Sequence, residues 1–403
     1  MIPVEGTAFR GELTSIDTSG RATFREVDKN QQPDKSRTLA LDEIVRWGNP
    51  VAPRPQTIVV LADGGQLVTV PDWVGGAAVR LIGDDVVVQT EIWNEVRIPR
   101  GLVSGVVFAQ QDRPEKREQL VEHVRNQMSA SRTEQVSGNT MADVVMLTND
   151  DRLTGNITGL DRGSLTMETL GKAAKLPLSR VDAVRFGTKR QLESRPGQDG
   201  YSHEIKRLAI GLRDGSLLYA KAIRANENEL AVELANGVKL TGRTVHDVVA
   251  IQSLDRRIVY PSDMNGADYR SVPYLTIKWP YTRDHNVLGE PIVVRGKRYL
   301  KGIGMHSASR LTFRFDQDYR QFDAAVAIDD SAKGGGSVTF GLYVLRHGKW
   351  TEAYQSGVMR GSDEPRPVSV DLTGARGLTL TVDFADRGDE LDHAVWLDAR
   401  LVR

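Results

Sequence analysis

The chain reads as all-β: small SH3-like or Sm-like barrels in tandem, followed by one jelly-roll β-sandwich. Over the first 255 residues, short apolar runs are broken by Gly, Asp and Asn turns, the pattern of short strands. The order of those runs recurs along the chain, as it does in repeat proteins. From about Arg256 the runs lengthen, alternate more strictly and gain aromatics, as in sheets half-buried on a core.

The clearest repeat runs from Asp143 to Gly187. An apolar strand, Val144-Val145-Met146-Leu147, meets the turn Asn149-Asp150-Asp151 and continues as Arg152-Leu153-Thr154-Gly155-Asn156-Ile157. A strand at Leu165 to Glu168, then Leu176-Pro177, lead to the ending Val181-Asp182-Ala183-Val184-Arg185-Phe186-Gly187. The same order starts again at Leu208 and, earlier, at Ile58. At the N-terminus Phe9-Arg10-Gly11-Glu12-Leu13 matches the second strand and Val45-Arg46-Trp47-Gly48 the ending, so this unit lacks its opening strand. The expectation is that the chain starts inside a longer precursor or that the first barrel is incomplete.

Units of about five short strands are too small for a sandwich and suit small barrels. The expected organisation is barrel-like repeats over 1–50, 56–110, 141–187 and 207–255, a helix and linker over 111–140, a second linker over 188–206, and the sandwich over 256–403. The helix follows Asp112 as cap, with Pro114 and Glu115 in its first turn and Leu120, Val121, Val124 and Met128 as an apolar stripe. Such a stripe suits a packing strut between barrels better than a recognition helix.

A length of 403 residues suits roughly two to four domains. Lys+Arg and Asp+Glu both number 53, so no net field recruits nucleic acid, anionic lipid or a basic partner. The absence of cysteine excludes disulfide staples, thiolate catalysis and Cys-based zinc sites. No apolar run approaches the length of a membrane helix, and the first residues, Met1-Ile2-Pro3-Val4-Glu5-Gly6, do not form a signal peptide.

In the last third, Leu311 to Phe315, Ser337 to Val344 and Leu378 to Val382 alternate as half-buried strands. Two stretches stand out: Tyr299-Leu300-Lys301-Gly302-Ile303-Gly304-Met305-His306-Ser307-Ala308-Ser309 and Asp392-His393-Ala394-Val395-Trp396-Leu397-Asp398-Ala399-Arg400-Leu401. With Tyr260-Pro261-Ser262-Asp263-Met264, Phe322 to Asp330, Gly336 to Phe340 and Val370 to Gly374 they make six ordered matches. In this order they resemble the NPCBM group of carbohydrate-binding modules, over roughly Arg256 to Arg403. Pro261 and Ala327 depart from the family's pattern. The barrels are not part of that family, although a similar barrel-plus-module arrangement is familiar in surface proteins of planctomycete-type bacteria.

The resemblance implies a galactose-binding-like sandwich, glycan or polysaccharide binding, often a structural calcium, and export to the periplasm or cell surface. For the sugar contact, which needs an aromatic face and planar polar groups, the candidates are Trp279, Tyr281, His285, Trp350 and Tyr354. For each of them alone packing is the commoner role of a loop aromatic. The signature residues Gly302, Gly304, His306, Asp392, His393 and Trp396 read as structural: the glycines give a tight backbone path, and alternation places His393, Val395, Leu397, Ala399 and Leu401 on one core face. Candidate calcium ligands are Asp329, Asp330, Asp389 and Asp392, in acidic runs that also include Asp383, Asp386 and Glu390. Their spacing is not that of an EF-hand loop, so a calcium held between loops and a solvated acidic turn both remain open.

Neither signature stretch reads as catalytic. No dinucleotide fingerprint, phosphate loop, nucleophile elbow or His-Glu-x-x-His motif occurs, and a glycosidase carboxylate pair would find no large cleft-forming domain. The expectation is a non-catalytic carbohydrate-binding protein needing no cofactor, its barrels a spacer or assembly platform. The alternative is a surface assembly protein whose module binds proteins or copies of itself.

Overall fold

The recurring runs fold as four antiparallel units, each closed by pairing its last strand with its first. The structure, a computed structural model, describes residues 1–26, 35–71, 78–109, 114–125, 135–136, 140–169, 171–187, 208–254, 257–265, 268–272, 278–386 and 388–403. The predicted linker 188–206, the capping Asp112 and Met128 lie outside them. The first repeat comprises β1 (Ile2–Pro3), β2 (Gly11–Ile16), β3 (Arg21–Glu26), β4 (Ser36–Ala40) and β5 (Ile44–Gly48). The second comprises β6 (Ile58–Leu61), β7 (Gln66–Val68), β8 (Val79–Ile82), β9 (Asp85–Thr90), β10 (Asn94–Pro99) and β11 (Val103–Val107). After helix α1 (Pro114–Arg125) and a short ribbon, β12 (Gln135–Val136) and β13 (Thr140–Met141), the third runs through β14 (Asp143–Leu147), β15 (Arg152–Asp161), β16 (Ser164–Thr169), β17 (Lys172–Pro177) and β18 (Val181–Arg185). The fourth is β19 (Leu208–Leu212), β20 (Leu217–Asn226), β21 (Glu229–Leu234), β22 (Lys239–Gly242) and β23 (Val248–Ser253).

Closure pairs β5 with β1, β11 with β6, β18 with β14 and β23 with β19. In every repeat a single 3₁₀ turn precedes the last strand: Leu41–Glu43, Arg100–Leu102, Leu178–Arg180 and Val245–Asp247. The opening strand expected to be missing from the first repeat is present as Ile2–Pro3, too short to show as an apolar run.

Each last strand has a second neighbour, which couples the repeats in pairs. β11 pairs antiparallel with β18 through Val106 and Val184, and β23 with β5 through Ile251 and Trp47. Each of these residues is fourth in its own last strand, so each pair of repeats meets about a local two-fold axis. The second repeat thus joins the third, and the first joins the fourth. Glycine permits the approach: a Cβ on Gly105 would lie 2.0 Å from the Val184 carbonyl oxygen, and one on Gly48 would lie 1.9 Å from that of Val249. Helix α1 buries Val121 and Val124 against Ile58, Val60 and Val107 of the second repeat and Met146 and Ala183 of the third. That is the expected strut. No helix among the described residues is long and apolar enough to cross a membrane.

Residues Met1–Ser253 form one unit and Leu254–Arg403 a second. The second is a two-sheet sandwich with a separate two-stranded hairpin; its strands are β24 (Ile258–Val259), β25 (Asp268–Ser271), β26 (Thr282–Arg283), β27 (Ile292–Val294), β28 (Lys297–Tyr299), β29 (Gly302–Met305), β30 (Ser309–Arg314), β31 (Gln321–Ile328), β32 (Ser337–Arg346), β33 (Lys349–Arg360), β34 (Arg366–Asp371), β35 (Gly377–Phe384) and β36 (Ala394–Val402), of which β27 and β28 form the hairpin. One sheet has the order β26-β29-β36-β31-β34, with β24 also on β36; the other is β25-β30-β35-β32-β33. Phe322, Phe340 and Trp396 fill the space between them, the two phenylalanine rings set edge-on to the indole.

The closing strand β36 departs from simple alternation. It is central and buried throughout. Trp396, which alternation sets on the face opposite to Val395 and Leu397, is in the main core, while Val395 and Leu397 pack with Ile292, Val294 and Tyr299 of the β27–β28 hairpin. A bulge at Asp398, whose φ is +47°, shifts the phase so that Ala399 and Leu401 join Trp396.

Candidate functional site

One end of the sandwich gathers both signature stretches. β29 carries Gly302 and Gly304 into the sheet, where no side chain fits: a Cβ on Gly302 would meet Ile292 at 2.7 Å, and one on Gly304 would meet the Thr282 hydroxyl at 2.3 Å. The glycines therefore serve close approach of neighbouring segments rather than a turn. His306 follows β29 and is 3% exposed. The Trp279 indole lies flat on its imidazole, with ring centroids 4.7 Å apart and planes 8° apart. Beyond it stands His393, its centroid 6.3 Å from that of His306.

Hydroxyls and one buried carboxylate complete the cluster. Ser307 Oγ donates to Asp392 at 2.5 Å, and the Ser337 amide donates to the other Asp392 oxygen at 2.9 Å. His393 Nδ1 and Ser331 Oγ are hydrogen-bonded at 2.9 Å. Burial pushes the Asp392 carboxyl above the usual carboxylate range, against the pull of Ser307, Ser337 and His306. Burial, with the neighbouring His306, holds His393 below the ordinary histidine value, against the pull of Asp329. His393 is therefore neutral near pH 7. Before Asp392 the backbone passes through Leu391, an exposed leucine at φ +56°, a conformation that β-carbons disfavour.

The predicted sugar contacts separate into two groups. Trp279, Tyr281 and His285 belong to this end: Tyr281 packs against Tyr269 at 5.1 Å, the Tyr269 hydroxyl donates to the Trp279 carbonyl at 2.8 Å, and His285 Nδ1 lies 2.9 Å from the Arg283 carbonyl. Trp350 and Tyr354 are on β33. One ladder row crosses the whole sheet, Tyr269 to Leu311, Leu380, Leu342 and Tyr354, so four interstrand spacings, about 19 Å, separate the two edges. One sugar cannot touch both groups. Tyr354 packs against the core, and Trp350 lies within 5.2 Å of the Arg314 guanidinium.

The four predicted calcium ligands do not form one site. Asp329 accepts from the Asn286 side chain and from the Ser331 and Val293 amides. Asp330 accepts from the Arg295 and Gly296 amides and so caps the β27–β28 turn. Asp392 is engaged as described, and Asp389 is felt by it only as a nearby charge. Among the described residues, no three His, Asp or Glu side chains group as metal ligands. Reading the sequence also passed over Lys301, buried between Asp263 (2.6 Å) and Asp284 (2.8 Å), and the serines 307, 331 and 337, which short spacings to the signature histidine and glycines alone could have flagged.

Residues 260–402 match the model of the NPCBM/NEW2 domain. The C-terminal unit is an NPCBM domain. A Renibacterium salmoninarum protein bearing the name endo-alpha-N-acetylgalactosaminidase is 28% identical over 114 residues, 28% of this chain and 7% of that protein. The chain thus spans a small fraction of that relative's length. Among solved structures, the CBM51 module of a Clostridium perfringens GH95 protein in complex with methyl-galactose is 24% identical, with a TM-score of 0.32 over 36% of this chain and 99% of that one. The second CBM51 module and INT domains of C. perfringens ZmpB, in complex with GlcNAc, are 24% identical, with a TM-score of 0.32 over 46% of this chain and 38% of that one. The family match covers residues 260–402, and the four repeats before it lie outside that match.

Proposed function

We propose that the chain is a non-catalytic, exported carbohydrate-binding protein whose NPCBM domain holds a glycan at the Trp279–His306–His393 end, while the four repeats act as spacer or assembly platform. The observation that carries the site is the stack of Trp279 on His306. A partly buried indole pinned against a buried imidazole is held in a fixed plane, and a rigid aromatic loses little freedom on meeting the C–H side of a sugar ring. Neutral His393 and the surrounding hydroxyls add uncharged hydrogen-bonding partners suited to sugar hydroxyls. Tyr281 and His285 line the same end; Trp350 and Tyr354 do not belong to this contact.

A glycan array probed with the full chain tests this reading. Retention of a defined sugar by the wild type, and its loss in Trp279→Ala, is the expected result. Repeating the array with a chelator tests the calcium that the family resemblance implies. An array without hits, together with co-purification of a defined protein, would instead establish the assembly reading. In that case the next-to-last strands β4, β10, β17 and β22 are the edges to examine, because each last strand is already paired on both sides.

A further inference from the structure

The outer face of the five-stranded sheet carries two aromatic side chains, each lying beside a glycine. Core-facing rows such as Phe313, Leu378 and Val344 alternate with outward rows, and one outward row is Arg314, Gly377, Leu345 and Trp350. Trp350 reaches from the edge strand across this row, so that a Cβ on Gly377 would meet its ring at 3.2 Å. Nearer the other end, a Cβ on Gly341 would meet the Tyr343 ring at 3.5 Å. The centre of this face is low: Gly341 and Gly377 are buried and Leu345 and Thr379 are each 8% exposed, while Arg314, Glu352 and Gln355 at its sides are exposed. Small floor residues between bulky flanks make a trough.

The chemistry of the trough is that of a polyol site without net charge. Thr312 and Thr379 hydroxyls share a hydrogen bond of 2.9 Å, Thr381 stands beside Gly341, and the Tyr343 hydroxyl donates to Glu352 at 3.1 Å. Arg270, Arg310 and Arg314 on this face are matched by Asp268, Asp383 and Glu352, so neither an anionic nor a cationic ligand is favoured. The rows of Gly377 and Gly341 lie about 13 Å apart along β32, which calls for an extended ligand rather than a single ring. From Ser337 beside Asp392 to Leu345 beneath Trp350 the same strand runs about 27 Å.

We propose that this face is a second glycan site, taking an extended, uncharged polysaccharide laid along β32, with Trp350 and Tyr343 as its stacking platforms. It goes beyond the loop-end reading and does not depend on it. The test is affinity electrophoresis of the full chain in gels containing galactomannan, hydroxyethylcellulose or laminarin, with alginate as the charged comparison. The expected result is retardation by at least one neutral polymer, reduced at least about tenfold in apparent affinity in the Trp350→Ala/Tyr343→Ala pair. Because those rings also cover glycines, Thr381→Lys provides a second variant: it keeps both aromatics, fills the floor, and should lose retardation with an unchanged melting temperature. Absence of retardation by every neutral polymer, retardation by alginate alone, or equal retardation of wild type and Thr381→Lys would each overturn the proposal.

Discussion

The imidazole of His306 is sealed by the indole of Trp279, ring on ring at 4.7 Å and within 8° of parallel. The pair joins a signature residue that the sequence marks as structural to a loop residue that it marks as a sugar contact. Trp279→Ala should therefore have two effects. Stability falls by about 1 kcal/mol, the worth of an aromatic pair, and glycan affinity falls about tenfold or more. Trp279→Phe restores most of both. Urea denaturation and titration with a glycan that the array identifies check the two effects separately.

The state of His393 predicts an acid-sensitive NPCBM domain. Burial and His306 hold its pKa below the unfolded value near 6.5, while the charge of Asp329 acts from the other side. The folded state then binds fewer protons than the unfolded one, so the stability this group contributes is complete above about pH 6.5 and is lost as pH falls through the window below it. Asp392 works in the opposite sense, since its raised pKa makes its contribution decline as pH rises past the ordinary carboxylate range. His393→Gln should flatten the slope of melting temperature just below about pH 6.5. An unchanged slope would show that another group governs it.

How much of this was legible in the sequence depends on the distance over which each relation acts. The strand runs, the helix stripe at Leu120, Val121 and Val124 and the C-terminal module are local patterns or ordered motifs, and they read directly. The pairing of the second repeat with the third and the first with the fourth did not read, because antiparallel last strands carry no sequence mark beyond Gly105 and Gly48. The face assignment of β36 failed at a single residue, Asp398, where a bulge resets the alternation. Asp329 and Asp330 look like metal ligands by composition; their oxygens are instead claimed by amides of the β27–β28 hairpin and of Ser331, partners far away or invisible in spacing alone.

Lys301 predicts a loss at alkaline pH. Burial alone would pull its pKa down, but the charges of Asp284 and Asp263 overcome this and raise it above the ordinary lysine value. Its contribution is therefore present below the unfolded value near 10.5 and disappears as pH rises through the folded one. Lys301→Met should cost about 2 kcal/mol, in the range for hydrogen bonds to charged groups, and no more, because Asp263 is half-exposed and can rehydrate. Chemical denaturation at pH 7 measures the loss. Lys301→Arg cannot reproduce both contacts in so tight a space and should recover only part of it.

The two-fold contacts between repeats make the first unit fragile at two glycines. At Gly105 a β-carbon would lie 2.0 Å from the Val184 carbonyl oxygen and 2.8 Å from the Val124 side chain of the helix, so Gly105→Val must push apart both β18 and α1. At Gly48 the clash with the Val249 carbonyl is compounded by a φ of +66°, which L side chains rarely adopt. Each substitution should cost more than about 3 kcal/mol, the range of backbone strain added to overpacking. The cores of Met1–Ser253 and Leu254–Arg403 are built from different clusters, so the damage should stay within the first unit. Calorimetry of Gly105→Val is then expected to show the transition of the first unit lowered by several degrees or lost, with the NPCBM transition and glycan retention unchanged. A shift of both transitions by equal amounts would mean that the two units unfold as one.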